Sequence, residues 1–156
     1  YAGEFGDFKL AAGLGYRHDE DIVVDVLDVT TIKIPLGDDT RNVILASASI
    51  QHSPSGLFLT GEYGDQDWSG LDVRGWHVKG GIEPRLVSAG RTSFFGEYSD
   101  QKFDFGPGND LTIKMWGLGI VQSIDAAAMQ LYVSYRVYDV EDTDISQVMA
   151  GARIRF

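Results

Sequence analysis

The chain has 156 residues, a formal net charge of −10 and no cysteine. This length suits one domain with a sizeable core, and the lack of thiols excludes disulfide scaffolds, zinc–thiolate centres and cysteine nucleophiles. The acidic balance argues against a nucleic-acid partner, because phosphate recognition needs clustered Lys and Arg.

The first element begins at once. "YAGEFGDFKL" reads as the tail of one strand, a tight turn at Gly6-Asp7 and the start of the next strand. A chain that opens inside a strand, on Tyr1 and not Met, predicts a piece of a longer protein. "FKLAAGLGYRH" then alternates, with Phe8, Leu10, Ala12, Leu14 and Tyr16 opposite Lys9, Gly13, Gly15 and Arg17. Such period-2 alternation places the two sets on opposite faces of a strand. The pattern recurs in "NVILASASIQH", "LFLTGEYG", "GWHVKGGIE", "TSFFGEYS", "LTIKMWGLGIVQS", "MQLYVSYRVY" and the closing "VMAGARIRF". The expectation is about eight full strands of roughly 9–12 residues plus the stub at 1–5. Ordinary strands average about 5–6 residues, whereas membrane-spanning ones need about 9–11. No helix is convincing, and no run reaches the roughly 18 apolar residues of a membrane-crossing helix. Glycine, at 19 residues, and aromatics, at 12%, also suit a sheet.

The predicted connections alternate in length. Those at 6–7, 53–56 and 123–128 are short, 84–91 is medium, and 18–41, 65–72, 100–110 and 139–145 are longer or acidic. The last four segments hold 17 of the 23 acidic residues. In a meander they would all lie at one end, as the long extracellular loops of transmembrane barrels do. The longest, 18–41, carries strand-like "IVVDVLDVTTIKI" and reads as an external hairpin, the competing reading being a loop folded into the barrel.

One face of the strands is apolar. The other carries Lys9, Arg17, Glu62, Lys79, Glu83, Glu97, Arg136, Arg153 and Arg155. Period 2 alone fits either a soluble lipid-carrying barrel, apolar inside, or an outer-membrane barrel, apolar outside. Strand length, the acidic end and the aromatics near strand ends (Tyr16, Tyr63, Trp76, Tyr98, Tyr135) favour the membrane version.

The ending resembles a known signal. Phe156, with Val148, Ala150, Ala152 and Ile154 at alternate positions before it, is similar to the C-terminal strand read by the outer-membrane barrel assembly machinery. "GIVQSIDAAAMQLYVSYRVYDV" leading into "MAGARIRF", and "GEFGDFKLAAGLGYRHD" earlier, resemble alphaproteobacterial general-diffusion porins. The resemblance implies an all-β, antiparallel transmembrane barrel of 16 strands, of which residues 1–156 would be the C-terminal part. It also implies a homotrimer in the Gram-negative outer membrane, contacting lipid and lipopolysaccharide and passing ions and small hydrophilic solutes.

A water-filled lumen works through radius and charge, so the nine charged inner-face residues are the candidate pore lining. Arg136, Arg153 and Arg155 come first, followed by Lys79, Arg17 and Lys9, with Arg136 expected near the external end. Some of these arginines would instead only solvate the lumen ends. Asp19, Glu20 and Asp21, with Asp25 and Asp28, are candidates for Ca²⁺ through hard oxygen ligands. No EF-hand spacing occurs, and a loosely solvated rim bridged to lipopolysaccharide by divalent ions fits better. No cofactor is expected. His18, His52 and His77 lie apart, no serine completes a nucleophile–base pair, and "GPGND" is a turn, so no enzyme is expected. The alternatives are an eight-stranded adhesin or anchor and the soluble lipid carrier.

Overall fold

The computed structural model describes residues 1–20, 40–68, 70–141 and 143–154. Its nine strands are β1 (Ala2–Phe5), β2 (Phe8–Asp19), β3 (Arg41–His52), β4 (Leu57–Trp68), β5 (Leu71–Ile82), β6 (Thr92–Asp104), β7 (Asp110–Ile124), β8 (Met129–Val140) and β9 (Thr143–Ile154). They form one sheet in the order of the chain, and every neighbouring pair is antiparallel. This is an up-and-down meander, with the expected eight full strands and the initial stub. A single 3-10 turn, Asp125–Ala127, leads from β7 into β8. No described helix is long and apolar enough to cross a membrane, a fact silent on crossing by strands.

Local chemistry explains the tight ends. Gly6, at φ +58°, turns the chain between β1 and β2, where Phe5 and Phe8 face each other. Gly56, at φ +71°, ends the β3–β4 turn, and a Cβ there would lie 2.7 Å from the Glu83 carbonyl oxygen. Only glycine combines that backbone with so close an approach.

The connections need a correction. Among their described residues, the segments 65–72, 100–110 and 139–145 are mostly strand, with only Gly70, 105–109 and Glu141 outside it. Alternation continues through them, but their many aspartates make the sequence look like loop. The expected short–long asymmetry of connections is therefore replaced by strands that run on at the acidic end. The proposed hairpin at 18–41 falls largely on residues 21–39, outside the described residues. Its flanks belong to the sheet, with Asp19 opposite Arg41.

Register assigns every side chain to a face. Lys79, Glu97, Gly117, Arg136 and Gln147 form one cross-strand row, and Val78, Tyr98, Trp116, Val137 and Ser146 form the next row on the other face. The sheet has no ordinary core. Met115 is the one buried apolar side chain among the described residues, and it shares its face with buried Glu97, Ser99 and Ser134. On the opposite face Leu14 is 82% exposed, Val148 73% and Leu118 59%. Side chains converge on the concave side of a curved sheet and splay apart on its convex side. The charged face is thus the inner one and the apolar face the outer one.

Candidate functional site on the inner face

The outer face sets the frame for the site. Along β2 the apolar stretch runs from Phe8 to Tyr16, which spans ~27 Å along the strand and ~21 Å vertically at a tilt of ~40°. An aromatic row bounds it at the acidic end, with Trp76 against Tyr98 at 5.3 Å and Trp116 against Tyr135 at 5.8 Å between ring centroids. Tyr16 and Tyr63 extend this row on β2 and β4. Phe5, Phe8 and Phe94 mark the other boundary.

Behind this band, on the inner face, a charged cluster spans β4 to β8. The Arg136 Nε–H donates to Glu97 Oε1 at 2.7 Å. Glu97 Oε2 lies 3.3 Å from His77 Nε2, and the other ring nitrogen of His77 is 3.9 Å from Glu62 Oε2. Lys79 places its ammonium 3.5 Å from the centroid of the Phe95 ring, a cation–π contact. Glu97 has only 2% of its side chain exposed, whereas Glu62 keeps 61%. Glu97 is the buried anchor of the cluster and Glu62 its water-facing edge.

Glycines on the intervening strands make the cluster possible. Arg136 on β8 reaches Glu97 on β6 across Gly117 of β7. A Cβ at Gly117 would lie 3.0 Å from both Arg136 Cγ and Glu97 Oε1. The Phe95 ring rests over Gly119, Phe58 over Gly81 and Tyr132 over Gly151 in the same way. Each of these three rings lies flat on a neighbouring strand, which braces it.

The remaining predicted lining residues are spread along the same face. Lys9 pairs with Glu4 at 3.4 Å, and Glu83 accepts from Gln51 Nε2 at 3.0 Å. Both line an inner groove of about 560 Å³ toward the end opposite the acidic one. Arg17 pairs with Asp19 of its own strand at 2.7 Å. Arg153 lies near the end of β9, opposite Gln130. Arg155 falls outside the described residues. Arg136 joins the cluster from its β8 edge, beside the aromatic row at the acidic end, while Arg153 lies apart from it. The terminal pattern places Val148, Ala150, Ala152 and Ile154 on the outer face, and Phe156 is outside the described residues.

Three features escaped the sequence. His77 is held between two carboxylates instead of standing as an isolated polar residue. Arg41 also faces inward, donating to Gln66 Oε1 at 2.8 Å. Opposite charges sit beside one another on one wall, Arg136 against Glu97 and His77 between Glu97 and Glu62. Their common signal is cross-strand register, which no single strand contains.

Among the acidic candidates, Asp19 is engaged by Arg17, Glu20 Oε1 lies 3.2 Å from His18 Nε2, and Asp21 is outside the described residues. No group of three or more possible metal ligands occurs among the described residues. His52 Nδ1 and Ser55 Oγ are 2.7 Å apart, but Ser55 also accepts from the Leu57 backbone N–H and the pair closes the β3–β4 turn.

A meander with an apolar convex face, an aromatic boundary and a charged concave face is the wall of a membrane-type β-barrel. No protein-family model matches the chain, and no curated protein matches its sequence. Among solved structures, a loop-L8 deletion mutant of OmpT, an outer membrane protein of Vibrio cholerae, is similar, with a TM-score of 0.61 at 18% identity. The match covers 97% of this chain and 50% of that one, so the chain spans half the length of its structural neighbour. The likeness is one of fold: all-β, antiparallel and of the outer-membrane barrel type.

Proposed function

We propose that the chain is the C-terminal part of an outer-membrane porin that passes small hydrophilic solutes and ions by diffusion, without covalent chemistry. The observation that carries this reading is the inverted polarity of the sheet. Exposed Leu, Val and Trp cover the convex face, and Glu62, His77, Lys79, Glu97 and Arg136 line the concave one. A soluble lipid carrier needs the opposite arrangement. An eight-stranded anchor would close by pairing β9 with β2, but the second edge of β2 is already taken by β1.

In this reading the lumen is water-filled, and further strands complete the wall to the 16 of the porins that the sequence resembles. Outer-membrane lipid and lipopolysaccharide surround the apolar band, three copies associate, and the barrel assembly machinery reads the last strand. Divalent ions bridge the acidic end to lipopolysaccharide, and no resident cofactor takes part. Near the cluster, two carboxylates and two permanent cations balance, so selectivity there depends on which charge reaches water. Glu62 does so most, which favours cations locally.

Planar-bilayer recording of the purified native protein tests the proposal. Steady, large conductance steps are expected, and their absence from pure protein sinks the porin reading. The native polypeptide should have a mass about two- to three-fold above the 17.1 kDa of this chain; a native mass equal to it contradicts the half-barrel reading.

A further inference from the structure

On the inner face, at the end opposite the acidic one, a cross-strand row runs Glu4, Lys9, Gln51 and Phe58 over β1 to β4. The next row toward the charged cluster is built of smaller side chains, with Ala11 opposite Ser49 and Ser49 opposite Thr60. This step from long to short side chains hollows out the groove of about 560 Å³. Its width from β2 to β4 is two strand spacings, ~10 Å. Glu83, just past the end of β5, completes the lining.

The groove combines an aromatic platform with polar groups that already have partners. Phe58 is half-buried and lies on Gly81, leaving its other face toward the groove. Lys9 pairs with Glu4 at 3.4 Å, and Gln51 Nε2 donates to Glu83 Oε2 at 3.0 Å. An ammonium has three donors and a carboxylate two acceptor oxygens, so each of these groups keeps capacity to spare. Ser49 and Thr60 add hydroxyls that both donate and accept. A charged solute would have to displace a partner that each charge already holds. A purely apolar solute would strip water from Lys9, Gln51 and Glu83 and replace none of it. A pyranose ring does neither. Its axial C–H bonds form an apolar patch that suits the electron-rich face of an aromatic ring, and its hydroxyls donate and accept around the rim. The volume is within the range of small-molecule sites, in which a few placed polar groups fix orientation.

We propose that this groove is a binding site for a neutral pyranose sugar. The apolar face of the sugar lies on Phe58, Lys9 donates to one hydroxyl, and Gln51 Oε1 and Glu83 Oε1 accept from others. The proposal rests on the reading of the inner face as the wall of a water-filled lumen. It gives one class of diffusing solute a stopping place on the side of the charged cluster away from the acidic end.

Saturation-transfer NMR of the full-length protein in lipid nanodiscs, with empty nanodiscs as the blank, tests the site without needing conduction. The probes are methyl β-D-glucopyranoside, sorbitol, which has hydroxyls but no ring, and tetramethylammonium. The glucoside is expected to bind saturably and at least fivefold tighter than either of the others, with transfer strongest at its axial ring hydrogens. Phe58→Leu should weaken it threefold or more, whereas Phe58→Tyr, which keeps the ring, should bind within twofold of the native protein. Tyr132→Leu removes the ring that rests over Gly151, four strands away, and should leave binding unchanged. Equal binding of sorbitol, equal or tighter binding of the cation, or no saturation overturns the proposal. So does an unchanged affinity in Phe58→Leu, or an equal loss in Tyr132→Leu. Large conductance steps persisting alongside such a failure leave the porin reading standing, so the two failures are distinguishable.

Discussion

Glu97 shows how one residue organises the inner face. It is almost wholly enclosed, and it accepts from Arg136 while lying against His77. Glu97→Gln removes the charge and keeps the shape, leaving the Arg136 guanidinium without its counter-ion. Hydrogen bonds to charged groups are worth about 1.5–3 kcal/mol, so urea unfolding in lipid should show a loss of about 2 kcal/mol. In reversal-potential measurements the same variant should shift selectivity toward anions, because Lys79 and Arg136 then exceed the remaining carboxylate. Gly117 offers a second test by geometry alone. Gly117→Val inserts atoms where Arg136 crosses β7, and overpacking of that kind costs about 1–3 kcal/mol. Strand phase made Glu97, Lys79 and Arg136 legible as inner residues. The partnership of His77, and the need for glycine at 117, were not legible, because both depend on which residues of three strands lie side by side.

Among the strands, β7 shows the division of labour most clearly. Trp116, Leu118 and Ile120 cover the outer face, while Met115, Gly117 and Gly119 form the floor of the inner one. Leu118→Arg should cost about 2–4 kcal/mol, as expected of a charge on the lipid face near mid-bilayer. Ser49→Arg, on the polar inner face, should cost less than 1 kcal/mol. Folding into phospholipid vesicles, followed by urea titration, compares the two, and equal costs would count against the assignment of faces. The extended ends of β4 to β9 teach a further lesson about strands. Their aspartates give them the composition of loops, since aspartate is rare in strands, yet they remain paired because only their outer face is acidic. Alternation outweighed composition there.

For the whole molecule, the decisive property is that an apolar surface looks outward and has no protein partner in the sheet. Single-tryptophan variants provide a direct reading of it. Retaining Trp76 or Trp116, which lie in the outer aromatic row, should give strong quenching by brominated lipids. Retaining only Trp68, on the inner face past that row, should give little. Comparable quenching of all three would mean that the convex face is not the lipid face.

The sequence by itself determined the strands, their phase and the gathering of acidic residues at one end, since each is a local or periodic property of the chain. It could not decide which face is inside, because period 2 is the same for a sheet curved either way. Tertiary structure decided that through crowding: side chains converge on the concave face, burying Glu97, Ser99 and Met115, and spread on the convex one. Register, also tertiary, joined Glu62, His77, Glu97 and Arg136 into one cluster from strands up to 74 residues apart along the chain. It likewise turned three apparent loops into strand.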